Sequence, residues 1–226
     1  MNHAKFARAS YSLNLANKNK EKRIAKAHEH LPAGYRTDPR SNRDVSLFIN
    51  DDAKHAVIAH RGTDLSKRRD LGADILFALG QEKHSKEFDK RSKQSMKLAK
   101  DLPEEYKLDF TGHSYGGASA MHSIKKHPKL RERVSEIHLY NPLTAPWSSK
   151  THVRRGGSVA NADKEIDDKT TVHRVRGDIV SMAGTHGNVV EHEPKRNHKP
   201  AVMPDQFKGV FQTLDQLATH AIKNFV

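Results

Sequence analysis

The sequence contains no cysteine, which removes disulfides, thiolate nucleophiles and cysteine-ligated zinc together and leaves the redox compartment open. Apolar residues make up only 35% of the 226 residues, and no apolar run approaches the ~20 residues of a membrane span. The opening Met1-Asn2-His3-Ala4-Lys5-Phe6 lacks the apolar stretch of a secretory signal. Together these absences imply an intracellular (cytoplasmic) chain or one exported without a signal. Acidic residues are few, 27 against 40 Lys and Arg, for a net charge of +13. Such a field favours anionic partners, with peripheral contact to an anionic membrane as the expectation. Helix-turn-helix and zinc-finger spacings are missing, as is an aromatic-interleaved basic stripe, which argues against a specific reader of nucleic acid. Histidine, by contrast, is abundant at 16 residues. Protonating all of them at mildly acidic pH would more than double the net charge, so attraction to anionic membranes is expected to rise there. No ligand set demands a metal, although His28 and His30 could bind one adventitiously, and no cofactor motif is present.

The scarce apolar residues are concentrated in short runs. Val45–Asn50 and His55–His60 read as strands joined by a turn at Asp51-Asp52, the second of them buried. Helical spacing covers Lys83 to Leu102, with Phe88, Met96, Leu98 and Leu102 on or near one face and Pro103 as its stop. Further strands are expected at Tyr106 to Phe110, Val134 to Tyr140, Thr170 to Val175 and Gly187 to Val190, and a last helix within Leu214 to Phe225. Alternation of strand and helix over this length predicts a single α/β domain spanning residues 1–226 with a largely parallel sheet. Residues 1–44 read as an N-terminal extension of short surface helices and loops. Residues 148–169, rich in Ser, Gly, Asp and Lys, read as an exposed excursion.

The most informative stretch is Leu108-Asp109-Phe110-Thr111-Gly112-His113-Ser114-Tyr115-Gly116-Gly117. A strand runs directly into Gly-x-Ser-x-Gly and then into small residues that open a helix, the order that a nucleophile elbow requires. Gly112 and Gly116 remove the Cβ atoms that would collide across so tight a turn, and the helix N-terminus brings partial positive charge to the reacting carbonyl. Ser114 is therefore the expected nucleophile. The second informative stretch is His60-Arg61-Gly62-Thr63-Asp64, at the end of an early strand. In a hydrolase of this architecture that loop supplies one oxyanion donor, here Thr63, opposite the amide of the residue after the nucleophile, Tyr115. The segment 64–80 that follows could cover the site as a lid.

These residues resemble the lipase class 3 family of α/β-hydrolases, which includes the fungal triacylglycerol lipases. The resemblance rests on four stretches: His55 to Thr63 is similar to the family's apolar strand ending in Arg-Gly-Thr, and Asp70 to Leu76 to its lid segment. Gly112 to Gly117 is similar to Gly-His-Ser-Leu-Gly-Gly, and Gly177-Asp178-Ile179-Val180 to the Asp-Ile-Val before the acid loop. It implies an α/β-hydrolase fold with Ser114 as nucleophile, Asp178 as triad acid, and Thr63 and Tyr115 as oxyanion donors. His186, His192, His198 and His220 all follow Asp178. The family's base sits by the closing helix, a place that His220 fits best and His198 second. The implied chemistry is hydrolysis of an acyl ester of a glycerolipid or phospholipid, without metal or cofactor. Tyr115 stands where leucine is common, the only tryptophan is Trp147 rather than a lid residue, and the cystines of the secreted members are missing.

Overall fold

The structure, a computed structural model, describes residues 1–13, 19–62, 82–142, 164–176, 187–193 and 222–226, with backbone alone at 82–85 and 223–224. Among the described residues seven strands form one sheet in the order of the sequence: β1 (Arg36–Thr37), β2 (Val45–Asn50), β3 (His55–His60), β4 (Lys107–His113), β5 (Val134–Tyr140), β6 (Thr170–Val175) and β7 (Asn188–His192). β1, β2 and β3 pair antiparallel, the tight turn at Asp51–Lys54 joining the last two. From β3 to β7 every pairing is parallel. The strands at residues 45–50, 55–60, 134–140 and 170–175 lie where the sequence places them.

Both faces of the sheet are covered, which is why β2 and β3 are buried almost throughout rather than at alternate positions. On one face Leu47, Ile49, Ala56, Ile58, Leu108 and Phe110 meet helices α3 (Glu82–Lys100) and α4 (Tyr115–Lys126) through Leu98, Ala120 and Ile124. On the other, Phe48, Val57 and Ala59 meet α1 (Ala4–Ser12) and α2 (Lys20–His28) through Phe6, Ala9 and Ala27. Two short helices, α5 (Pro128–Arg133) and α6 (Lys164–Asp168), precede β5 and β6.

The N-terminal helices correct the expectation of a surface extension. Ala4, Phe6, Ala7 and Ala9 are completely buried, and Phe6 sits edge-on to Tyr35 with ring centroids 4.8 Å apart. Burying one such phenylalanine contributes on the order of 2 kcal/mol. α1 is thus a layer of the core, while α2 buries only Ala27. A second correction concerns residues 148–169: those up to 163 lie outside the described residues, but α6 buries Ile166 against the sheet. Of the expected closing helix only Ile222–Phe225 is described, as a single 3-10 turn.

Candidate active site

β4 delivers Ser114 to the carboxyl edge of the parallel strands. Its φ of 55° and ψ of −127° mirror an extended conformation, a combination that costs an L residue of order 1–3 kcal/mol. Neighbouring hydrogen bonds hold the turn in place. The Ser114 amide donates to the Tyr140 carbonyl on β5 at 3.0 Å, and the Gly117 amide donates back to the Ser114 carbonyl at 2.9 Å. Close approach on both sides explains the flanking glycines. A Cβ at Gly112 would lie 2.5 Å from the Gly116 backbone, and one at Gly116 would lie 2.1 Å from the His60 carbonyl oxygen. α4 starts at Tyr115, so the positive end of a 12-residue helix stands at Ser114. Among the described residues the buried Ser114 Oγ has no hydrogen-bond partner. Leaving such a hydroxyl unpaired costs about 1–3 kcal/mol.

The loop after β3 passes directly beside this turn. A Cβ at Gly62 would lie 2.5 Å from the His113 carbonyl oxygen, 3.4 Å from Ser114 Cβ and 2.3 Å from the hydroxyl of Tyr11. Thr63 is the next residue and lies outside the described residues, as do segment 64–80, Asp178, His186, His198 and His220. What is described is the framework around them. β6, which leads to Asp178, runs parallel to β5 and β4 and ends at Val175, whose amide donates to the Asn141 side chain at 2.9 Å. The strand before Asp178 therefore finishes at the sheet edge that carries Ser114. His192 alone of the late histidines is described. It stands on β7, 3.1 Å from His173 Nδ1 and edge-on to Phe225.

Three residues that the sequence does not mark, together with His60 from the marked loop, brace the site. Arg91, on α3, donates to the Arg61 carbonyl at 2.5 Å and to Asp44 at 3.4 Å, and its guanidinium covers the Tyr115 ring at 4.9 Å. Asp44 also accepts from Arg61 at 3.0 Å. Burial opposes the charge on Asp44, but Arg91 and Arg61 outweigh it and hold its carboxyl below the usual range. The Tyr115 phenol is pushed up to about 12 by burial, so it is neutral and Tyr115 serves as packing against Phe88 and Arg91. His60 is completely buried between two hydroxyls, Ser119 at 3.0 Å from Nδ1 and Ser95 at 2.8 Å from Nε2. Ser95 donates to the Arg91 carbonyl, so it accepts from His60 Nε2–H, and Ser119 donates to Nδ1. One neutral tautomer satisfies every group, and burial drives the imidazole well below its ordinary value. Fourth, Tyr11 of α1 meets His113 Nδ1 at 2.7 Å, fastening the N-terminal helix to the elbow. Arg91 alone had a legible signal, since it shares the apolar face of α3 with Phe88 and Leu98.

No protein-family model matches the sequence, and no curated protein matches it either. Solved structures do. The Lip2 lipase of Yarrowia lipolytica superposes with a TM-score of 0.50 at 19% identity, over 83% of this chain and 77% of that one. The M37 lipase gives 0.54 at 13% identity, over 99% and 96%. The chain therefore has the α/β-hydrolase fold of these lipases, a mostly parallel seven-stranded sheet between helices.

Proposed function

We propose that the protein is a serine ester hydrolase acting on acyl esters of a glycerolipid or phospholipid. The observation that carries this reading is Ser114 itself: a buried, backbone-strained serine between a central strand and a helix N-terminus, with Gly62 packed on its Cβ. Strain of this kind persists where the surroundings hold it for use. In the proposed reaction His220 takes the Ser114 proton as Oγ attacks the ester carbonyl, and Asp178 orients the imidazole and stabilises its charged form. The amide of Tyr115 and a donor from Thr63 receive the oxyanion, each such donor being worth about a hundredfold or more in rate. Collapse expels the alcohol, protonated by His220, and leaves the acyl group on Ser114. Water, deprotonated by the same histidine, then attacks the acyl carbonyl and releases the acid. The names of the solved neighbours support a lipid ester as substrate.

A fluorophosphonate probe tests this directly. Labelling of one serine, mapped to Ser114 by mass and lost in Ser114→Ala and His220→Ala, is the expected result. A folded wild-type protein that resists labelling and hydrolyses no nitrophenyl ester would end the reading. His198→Ala serves as the comparison for the base.

One observation favours a second reading, a hydrolase fold acting as a basic module on anionic surfaces. Lys86, Lys90, Lys93, Lys97 and Lys100 are all exposed and follow one another at helical spacing on the outer face of α3. Each lysine near an anionic membrane contributes about 1 kcal/mol. The same row would equally let an active esterase work on anionic phospholipid. Flotation with anionic vesicles separates the cases. Binding without any serine labelling supports the module, and binding with hydrolysis supports a phospholipid esterase.

A further inference from the structure

Away from Ser114, a row of polar residues crosses the face of the sheet that α1 covers: His55 on β3, Asp109 on β4, His138 on β5, His173 on β6 and His192 on β7. At its buried end His3, beside the start of α1, places Nε2 at 2.8 Å from Asp109 Oδ2, and His55 places Nε2 at 2.7 Å from the same oxygen. All three residues are buried. Asp109 sits five residues before Ser114, about 16 Å along the strand, and so is separate from the hydrolytic site.

We propose that His3 Nε2, His55 Nε2 and Asp109 Oδ2 form a structural site for a divalent transition ion of the zinc type, which ties the N-terminal helix to the sheet. Two imidazoles and a carboxylate are the donor set that zinc, cobalt or nickel takes, whereas calcium and magnesium want oxygen alone. The donors come from three separate parts of the chain and converge on a fixed carboxylate. The β4–β5 register shifts between Leu108 and Phe110, and Asp109 Oδ1 accepts the Glu136 amide at 3.1 Å where the ladder is interrupted. One oxygen is thus committed to the backbone and the other faces both histidines.

The surroundings of His55 fit an ion ligand. Its Nδ1 lies 2.5 Å from the Tyr35 hydroxyl, which also reaches Met1 Sδ at 3.3 Å. A phenol has one proton. Both contacts are satisfied together when His55 Nδ1–H donates to the phenol oxygen and the phenol donates to sulfur. With Nδ1–H committed to the phenol, Nε2 faces the Asp109 carboxylate, where it holds either a second proton or a bound cation. Metal-bound histidines are commonly fixed by such a donation from the distal nitrogen. Among the described residues His3 Nδ1 is buried and without a hydrogen-bond partner, so Nε2 is the nitrogen by which His3 joins the cluster. Donors about 2.0 Å from a tetrahedral zinc stand roughly 3.3 Å apart. The ion therefore asks each Nε2 to withdraw by about half an ångström. Glu136, whose carboxylate is exposed, groups with His3 and His138 in a second set of possible ligands next to the first.

The test uses the full chain after dialysis against chelator, titrated with cobalt(II) and, separately, zinc(II). The expected result is one equivalent of cobalt per chain with the intense visible absorption of tetrahedral coordination, displaced by zinc. Zinc at a hundredfold excess over its Kd should raise Tm by about 5–10 °C. His3→Gln and His55→Gln should each weaken binding at least tenfold. Tyr35→Phe, which keeps all three donors, should weaken it about tenfold through the lost distal partner. A double His28→Gln, His30→Gln variant should bind as the wild type does. Absence of the cobalt spectrum with no zinc-dependent rise in Tm overturns the proposal. Binding that survives unchanged in His3→Gln, His55→Gln and Tyr35→Phe also overturns it, because the ion would then sit on other histidines. Should a histidine variant fail to fold, Tyr35→Phe and the wild-type spectrum still decide the matter.

Discussion

Gly116 stands so close to β3 that a Cβ on it would lie 2.1 Å from the carbonyl oxygen of His60. The atom in the way is backbone, at the end of a strand paired on both sides, and cannot step aside. Gly116→Ala must therefore push α4 away from β3 and with it the turn at Ser114. Overpacking of this kind costs about 1–3 kcal/mol, so Tm should fall by about 2–12 °C. Serine labelling should drop further than the loss of folded protein explains. A melt unchanged from the wild type would show that α4 does not approach the strand so closely.

Ser114 supplies the converse case. Its backbone mirrors the extended conformation, which glycine adopts freely. Ser114→Gly removes both the strain and a buried hydroxyl without a partner among the described residues, whereas Ser114→Ala removes only the hydroxyl. Both variants should lose all ester hydrolysis. Ser114→Gly should melt about 2–4 °C above Ser114→Ala, the relief of roughly 1 kcal/mol or more being partly offset by the freer unfolded chain. Equal melting points would mean that the turn is unstrained. The pair separates a catalytic serine held under strain from one that merely begins a helix.

Those two predictions rest on the part of the protein that its sequence announces. Apolar runs bounded by turn formers mark β2 and β3, the shorter Ile137 to Tyr140 marks β5, and Gly-x-Ser-x-Gly between a strand and small residues marks the elbow. The N-terminal helix does not announce itself as core because its buried face is built from Ala4, Ala7 and Ala9 around a single Phe6. Small residues carry little hydrophobicity, yet they allow a helix to lie close against a sheet. The polar braces were illegible for a different reason. Asp44 meets Arg91 across 47 positions and His3 meets Asp109 across 106. A buried ion pair or imidazole looks, in one sequence, like any other charged residue until the fold brings its partner to it.

Arg91 shows what such a brace is worth. It holds the carbonyl of Arg61, the residue before Gly62, and covers the ring of Tyr115, so one guanidinium touches both sides of the proposed oxyanion site. Arg91→Met keeps much of the packing volume and removes the donors. Displacing donors by about 1 Å costs on the order of a hundredfold, and the loss should appear in kcat with KM nearly constant, because Arg91 is buried against protein groups. Arg91→Lys should restore little, since one ammonium cannot reach Arg61, Asp44 and the ring together. A change confined to KM would point instead to a direct role in binding.

The abundance of histidine suggested a surface that charges steeply in acid, but burial divides these residues into two groups with opposite consequences. His60 is sealed between Ser95 and Ser119, and its ring is held well below the ordinary value by burial first and by Arg91 next. His173, between His138, His192 and the Tyr140 ring, is lowered to about 4 by burial and then by the neighbouring imidazoles. Because the folded values lie below the unfolded one near 6.5, the unfolded chain binds more protons at low pH. Their contribution is complete above about pH 7 and is lost as pH falls, for His173 over the interval from 6.5 down to about 4. Tm should thus decline progressively between pH 7 and pH 4.5. The decline should be shallower in His173→Phe, which takes no proton on unfolding. Parallel curves for the two proteins would show that His173 titrates alike in both states. For any membrane contact the same division matters: only the exposed histidines can add to the positive field near pH 6, so the acid enhancement of vesicle binding should be smaller than the full count of histidines implies.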